Sequence, residues 1–264
     1  MVFLPINNLL LALASPLANQ GIASNHFNVG ARAMAPLGGG VPLRIMPLGA
    51  SITYGQGSSD GNGYRGPLRA QLTGDFGNAV NMVGSRQSGS MRDNDVEGWP
   101  GFRIDEVHEK AAAPESVPRW RPNVVLVNAG TNDAAQDWNV TTAGRRMEAM
   151  LADVWRMSPR AVVVLSTLLL NKNGDTERRV LNINGQFRQL VARLRDRERR
   201  RIILAEMHGD DGPGSADFVD DTHPNDVGYK KMANVWLKGL VAASDAGMLQ
   251  APERVPGVPD DGAA

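Results

Sequence analysis

The chain has 264 residues, 42% of them hydrophobic, which is enough to bury a sizeable core and excludes disorder throughout. Its 28 Lys and Arg balance 28 Asp and Glu, so no global positive field marks nucleic acid or an anionic membrane as a partner. The absence of cysteine excludes a disulfide framework, a thiol nucleophile and any thiolate-bound zinc or iron–sulfur centre, leaving His, Asp and Glu as the side chains for any metal.

From the amino terminus, residues 9–18 (LLLALASPLA) form an apolar run too short to span a bilayer, for which about 20 residues are needed. The run resembles the apolar region of a secretory signal, with Ala12-Leu13-Ala14 as a small-x-small cleavage site, although no Lys or Arg precedes it. It points to export; a cytoplasmic protein is the alternative. Residues 19–40 are rich in Ala, Gly, Asn and Ser and end in Gly38-Gly39-Gly40, a flexible joint. Residues 1–40 therefore read as leader and linker, 41–248 as the folded domain, and 249–264, with several Pro, Gly and Asp, as a disordered tail.

Within the domain, five apolar runs read as strands: 43–48, 79–83, 124–128, 161–165 and 202–205. Pro47 cannot donate to a ladder and marks the end of the first. Between them lie segments of helical period. A helix begins near Pro67; residues 104–113 align Ile104, Val107 and Ala111; residues 141–157 align Met147, Met150, Leu151 and Val154; residues 178–200 align Leu181, Phe187, Leu190 and Leu194. The arginines on the opposite side of that last segment are interleaved with Asp196 and Glu198 and read as a solvated face. Strands that are apolar throughout are covered on both faces, and strand–helix alternation implies right-handed crossovers. The expected fold is a three-layer α/β/α sandwich around a five-stranded parallel sheet.

In such sheets ligands bind beyond the carboxyl ends of the strands. Four polar or glycine-rich clusters fall there: Gly49-Ala50-Ser51, then Glu97-Gly98-Trp99-Pro100-Gly101, then Gly130-Thr131-Asn132-Asp133, and Asp220-Asp221-Thr222-His223-Pro224. Together they hold a hydroxyl, backbone donors, an amide and an acid–imidazole pair, the parts of an acyl-transfer site. Singly, Ser51 would read as a helix cap, the Asn132 string as a turn and His223 as a surface residue; their joint placement carries the argument. Of the four histidines, His26 lies in the leader and His108 in a charged helix. His208 is the rival base. His223 is favoured because Asp220, three residues earlier, can fold back to its Nδ1, with Asp221 the rival acid.

The four-block order resembles the SGNH (GDSL-like) esterase superfamily over most of residues 43–240. The strings Arg44-Ile45-Met46-Pro47-Leu48-Gly49, Gly63-Tyr64-Arg65-Gly66-Pro67-Leu68 and Glu97-Gly98-Trp99-Pro100-Gly101-Phe102 are similar to its branch of family 3 carbohydrate esterases, which remove acetyl groups from xylan. The resemblance implies a flavodoxin-like hydrolase fold, Ser51 as nucleophile, Asp220 and His223 completing a triad, and an oxyanion hole from the Ser51 N–H, the Gly98 N–H and the Asn132 side chain, with Gly101 or Gly84 as alternatives to Gly98. One departure is Ala50, where the family carries Asp in Gly-Asp-Ser.

This chemistry needs no metal or organic cofactor, and the partner is a small or polysaccharide ester. Tyr64, Trp99 and Trp138 lie close to the clusters as candidate sugar-stacking rings. No long apolar insertion is present to act as a lipase lid, although a short one could lie within residues 85–96. The alternatives are a lipase or lysophospholipase of the same superfamily, a hydrolase holding Mg²⁺ or Ca²⁺ on Asp210, Asp211, Asp220, Asp221 and His208, and a carbohydrate-binding relative without catalysis.

Overall fold

The computed structural model describes residues 34–259. The apolar leader and His26 lie outside the described residues, as do residues 260–264. Seven strands form one sheet: β1 (Leu43–Gly49), β2 (Val80–Met82), β3 (Arg86–Gln87), β4 (Asp95–Gly98), β5 (Val124–Asn128), β6 (Val162–Ser166) and β7 (Ile202–Ala205). Five parallel lanes run across it. β1 pairs with β5, β5 with β6 and β6 with β7, while β2 flanks the start of β1 and β4 flanks its end. The five expected strands are all present in this flavodoxin-like order, which reverses direction at β1. The two added strands lie where a loop was expected. β3 pairs antiparallel with β4 through Arg86–Val96 and Gln87–Asp95, so residues 85–96 form a short hairpin on the sheet edge. Strands of two and four residues with Val96 as their one buried apolar side chain leave no periodicity to read.

The split lane also explains a proline in a central strand. Leu43 N–H donates to Ala79 O at 2.9 Å, Ile45 O accepts from Val83 N–H at 2.8 Å and Gly49 O accepts from Trp99 N–H at 2.9 Å. Backbone groups in this phase therefore face β2 and β4. Pro47 shares the phase and puts its missing N–H in the gap between them.

Side chains of the strands alternate between two cores. Met46, Leu48, Val125, Val127, Val163 and Leu165 face one, beneath α3 (Ile104–Ala112), α4 (Val117–Trp120), α6 (Ala143–Met157) and α7 (Gly174–Asp196). Leu43, Ile45, Val124, Leu126, Val162 and Val164 face the other, beneath α2 (Arg65–Gly74) and α8 (Asp226–Asp245). Two short helices, α1 (Ser51–Tyr54) and α5 (Thr131–Ala135), follow β1 and β5 directly.

Both expected domain limits shift. Gly38–Gly40 is no flexible joint: Leu37–Gly39 form a 3₁₀ turn, Leu37 is buried, and its N–H donates to Asn78 Oδ1 at 2.9 Å. As far as residue 259 the expected tail is docked. Buried Arg44 donates to Glu253 O at 2.9 Å, Asn123 Nδ2 to Gln250 O at 2.7 Å, and Arg121 pairs with the Glu253 carboxylate at 2.7 Å. Composition is blind to an extended segment whose carbonyls serve a buried guanidinium. Among the described residues, no helix is long and apolar enough to cross a membrane.

Candidate active site

Ser51 opens α1 at the carboxyl end of β1, and is nearly buried at 8% exposure. The turn forms without the carboxylate absent at Ala50: Tyr54 N–H donates to Ala50 O at 2.9 Å and Gly55 N–H to Ser51 O at 3.1 Å. On the far side of the chain, residues 218–224 fold into a small hairpin, closed by the Phe218–Pro224 bridge and by Val219 N–H on His223 O at 2.9 Å. Asp217, whose carboxylate holds Lys231 at 2.6 Å, anchors one side, and Asn225 caps α8 on the other.

This hairpin brings His223 Nε2 to 2.9 Å from Ser51 Oγ and His223 Nδ1 to 2.8 Å from Asp220 Oδ2. An ionised carboxylate only accepts, so Nδ1 carries the proton and Nε2 is left to accept from the serine. Asp220 Oδ1 accepts from the N–H groups of Thr222 and His223, each at 2.7 Å. Burial pushes the Asp220 carboxyl up, but the hydrogen bonds from the backbone and ring of His223 and from Thr222 outweigh it, and the group sits below the usual carboxylate range. The rival base and acid are placed elsewhere. His208 bonds Glu177 at 2.7 Å, and Asp221 uses its carbonyl to hold Lys172 N–H at 3.0 Å.

The candidate cation site does not assemble. Asp220 is committed to His223, Asp211 pairs with Lys238 at 2.7 Å and His208 with Glu177. Among the described residues, no three His, Asp or Glu side chains converge as a metal requires.

Asn132 sits in the first turn of α5, and one of its amide protons goes to Phe102 O at 2.9 Å, which fixes the side chain and leaves the second proton free to donate. The neighbouring Asp133 is the deeper anchor. Fully buried, it accepts from Ile104 N–H at 3.0 Å and from Arg146 at 2.6 Å, tying α5 to α3 and α6. Burial raises its carboxyl, and the bonds from Arg146 and Ile104 recover only part of that shift. Asp133→Ala is expected to cost about 2 kcal/mol by leaving the buried Ile104 N–H without its acceptor, while Arg146 keeps Asp105 at 3.2 Å, measured as a loss in urea unfolding free energy.

Gly98 does not fit the donor role first expected of it. Gly49 supplies the ladder contacts to β4, so in this parallel pairing the peptide groups of Gly98 face away from β1, and Gly98 O accepts from Arg86 at 2.8 Å. Glycine is needed at 98 for another reason: a Cβ there would lie 2.7 Å from Tyr54 N, inside the backbone of α1. The turn that follows offers a different donor. Trp99 N–H is used by Gly49 O, Pro100 has no N–H and Phe102 N–H bonds Trp99 O at 3.1 Å. The Gly101 N–H has no partner among the described residues, and its φ of 83° suits only glycine without strain. Gly84 packs its backbone against Val96 and Glu97 on the sheet edge.

The three aromatic candidates separate. Tyr64 is fully buried, against Trp236 with ring centroids 5.5 Å apart, and is a core residue. Trp99 is fixed at its indole N–H by buried Glu97 at 2.7 Å, and its ring is met by Phe102, Arg86 and Lys110. Neither offers a free face. Trp138 is 43% exposed, backed by the Arg103 guanidinium 4.3 Å from its ring, and stands between Asp137 and Asn139, both left-handed at φ 53° and 44°. Asp and Asn are the side chains that tolerate this conformation in turns, and the turn they form leaves the ring at the surface.

A sheet of this order with serine, imidazole and carboxylate in hydrogen-bonded series at its carboxyl edge defines a serine hydrolase of the SGNH class. The model of the GDSL-like Lipase/Acylhydrolase family matches residues 48–231, and the chain belongs to that family, whose members act on esters. A multidomain esterase of Ruminococcus flavefaciens is 26% identical over 237 residues, covering 77% of this chain. The chain spans 29% of that relative's length. Among solved structures, a family 3 carbohydrate esterase of Clostridium thermocellum superposes with a TM-score of 0.66 at 23% identity, over 77% of this chain and 98% of the other. One from Talaromyces cellulolyticus gives 0.64 at 21%, over 77% and 99%. At these identities the likeness is one of fold.

Proposed function

We propose that this protein is a serine esterase that removes acetyl groups from a carbohydrate through an acyl-enzyme. The observation that carries the reading is the unbroken series from Ser51 Oγ to His223 to Asp220, at 2.9 and 2.8 Å. His223 Nε2 takes the serine proton as Oγ attacks the ester carbonyl. The resulting imidazolium is steadied by Asp220, then gives its proton to the leaving alcohol. Water, activated by the same nitrogen, releases acetate. The oxyanion is held by the Ser51 N–H, which as a first-turn helix donor has no intrahelical acceptor, by the Gly101 N–H and by the second proton of the Asn132 amide. Each such donor contributes on the order of 100-fold in rate.

The segment 85–96 supports a small acyl group, because its ends pair as β3 and β4 and its loop is pinned to the neighbouring one, with Ser90 N–H on Asp60 O at 3.1 Å and Met91 N–H on Asn62 Oδ1 at 3.0 Å. Exposed Trp138 supports a sugar, and the carbohydrate esterases among the structural relatives agree. The deciding experiment is treatment with an organophosphonate, peptide mass mapping of the adduct, and assay of acetate release from acetylated xylan beside p-nitrophenyl esters of rising length. Labelling at Ser51 with preference for acetyl is expected. An active protein unlabelled at Ser51 overturns the mechanism, and a preference for long chains turns the assignment to a lipase. Trp138→Ala is expected to raise KM for acetylated xylan about 3- to 10-fold, the usual worth of one aromatic contact, with p-nitrophenyl acetate turnover unchanged.

A further inference from the structure

We propose that Arg86 is a positioning residue that clamps the nucleophile turn to the oxyanion turn; the inference rests on the serine esterase reading above. The guanidinium lies between two rings, with its carbon 4.7 Å from the centroid of Tyr54 and 4.6 Å from that of Trp99. Tyr54 ends α1, the helix that begins at Ser51. Trp99 opens the turn that ends in Gly101 and Phe102. The same guanidinium donates from Nη1 to Gly98 O at 2.8 Å, fixing the peptide at the root of that turn. Trp99 is held in turn by buried Glu97, so the clamp closes on a ring that cannot swing away.

The arrangement has a chemical purpose. Ser51 and Gly101 belong to different strands' loops, and the distance between their N–H groups decides whether both reach one developing oxyanion. A misplacement of about 1 Å between such groups costs about 100-fold in rate. A planar guanidinium can stack on two rings while donating in its own plane. A lysine ammonium, compact and strongly hydrated, cannot do both.

The test compares Arg86→Ala and Arg86→Lys with the unsubstituted protein. kcat and KM are measured for p-nitrophenyl acetate, affinity for a small alkylboronic acid that mimics the tetrahedral state, affinity for acetate, and the thermal unfolding midpoint. In Arg86→Ala, kcat is expected to fall about 10- to 100-fold, with boronate affinity falling in parallel and with KM, acetate affinity and unfolding midpoint near the original values. Arg86→Lys is expected to remain impaired, and added guanidinium to restore part of the Arg86→Ala rate. An unchanged kcat and boronate affinity in Arg86→Ala, or full activity in Arg86→Lys, overturns the proposal; so does loss of acetate affinity to the same degree as boronate affinity. Phosphonate labelling of Ser51 in the unsubstituted protein separates the two ideas. If it fails, the esterase reading falls with the clamp; if it succeeds while Arg86→Ala is unaffected, the clamp alone falls.

Discussion

Ser51→Ala is expected to lower kcat for p-nitrophenyl acetate by on the order of 10⁴-fold or more, the scale seen when one member of a hydrogen-bonded triad is removed. The residue lost is the proposed nucleophile. His223 Nε2 stands 2.9 Å from its oxygen, while the other buried hydroxyl nearby, Thr53, is occupied by Tyr64 at 3.4 Å. The fold does not depend on the hydroxyl, because the turn is held by backbone bonds from Tyr54 and Gly55. The unfolding midpoint should therefore stay the same or rise slightly, as is common when a polar catalytic group is taken from a tight site. Turnover persisting near the original rate in a correctly folded Ser51→Ala protein would remove this serine from the reaction.

Asp220→Asn is expected to lower kcat by on the order of 10³-fold, somewhat less than the ~10⁴-fold fall for a fully buried triad acid. Asparagine keeps an acceptor for the Thr222 and His223 N–H groups, so the hairpin should keep its shape. Its amide, however, donates toward Nδ1 and drives the ring proton to Nε2, where it blocks transfer from Ser51. The Asp220 side chain is 51% exposed, so water can restore part of the correct tautomer, and the smaller fall follows. The same substitution changes acid sensitivity. A carboxyl held below its unfolded value of about 3.9 contributes stability that is complete above that pH and is lost as pH falls through the folded-state value. Urea midpoints of the unsubstituted protein should thus drop more steeply below pH 4 than those of Asp220→Asn, by a small amount given the exposure. Parallel curves would show that the carboxylate adds nothing to the fold.

The hydrogen-bonded series proposed as catalytic was legible because its members are chemically distinctive and lie where the topology concentrates function. Asp220 and His223 sit three residues apart, within reach of one local turn, and Ser51 follows a strand that reads clearly in the sequence. What escaped was geometry set by phase. Gly98 and Gly101 are three residues apart in one string, and only the pairing of β4 with β1 shows which peptide turns outward. Tyr64 and Trp138 are equally aromatic in sequence, yet one packs on Trp236 and the other stands in solvent, a difference fixed by tertiary contacts. Arg86 and Asp133 were missed as partners for a related reason. A charge at the end of a strand or helix looks solvated until the rings or buried donors around it are known. Glu97, fully buried beneath Trp99, is the same case.

The hairpin of residues 218–224 has a consequence for how the acid and the imidazole stay aligned. Because acid and imidazole travel on one short ribbon, their mutual alignment survives any displacement of that ribbon as a body. Within the series, the separation across the cleft from the serine oxygen to the ring is then the one distance that a movement of the ribbon would change.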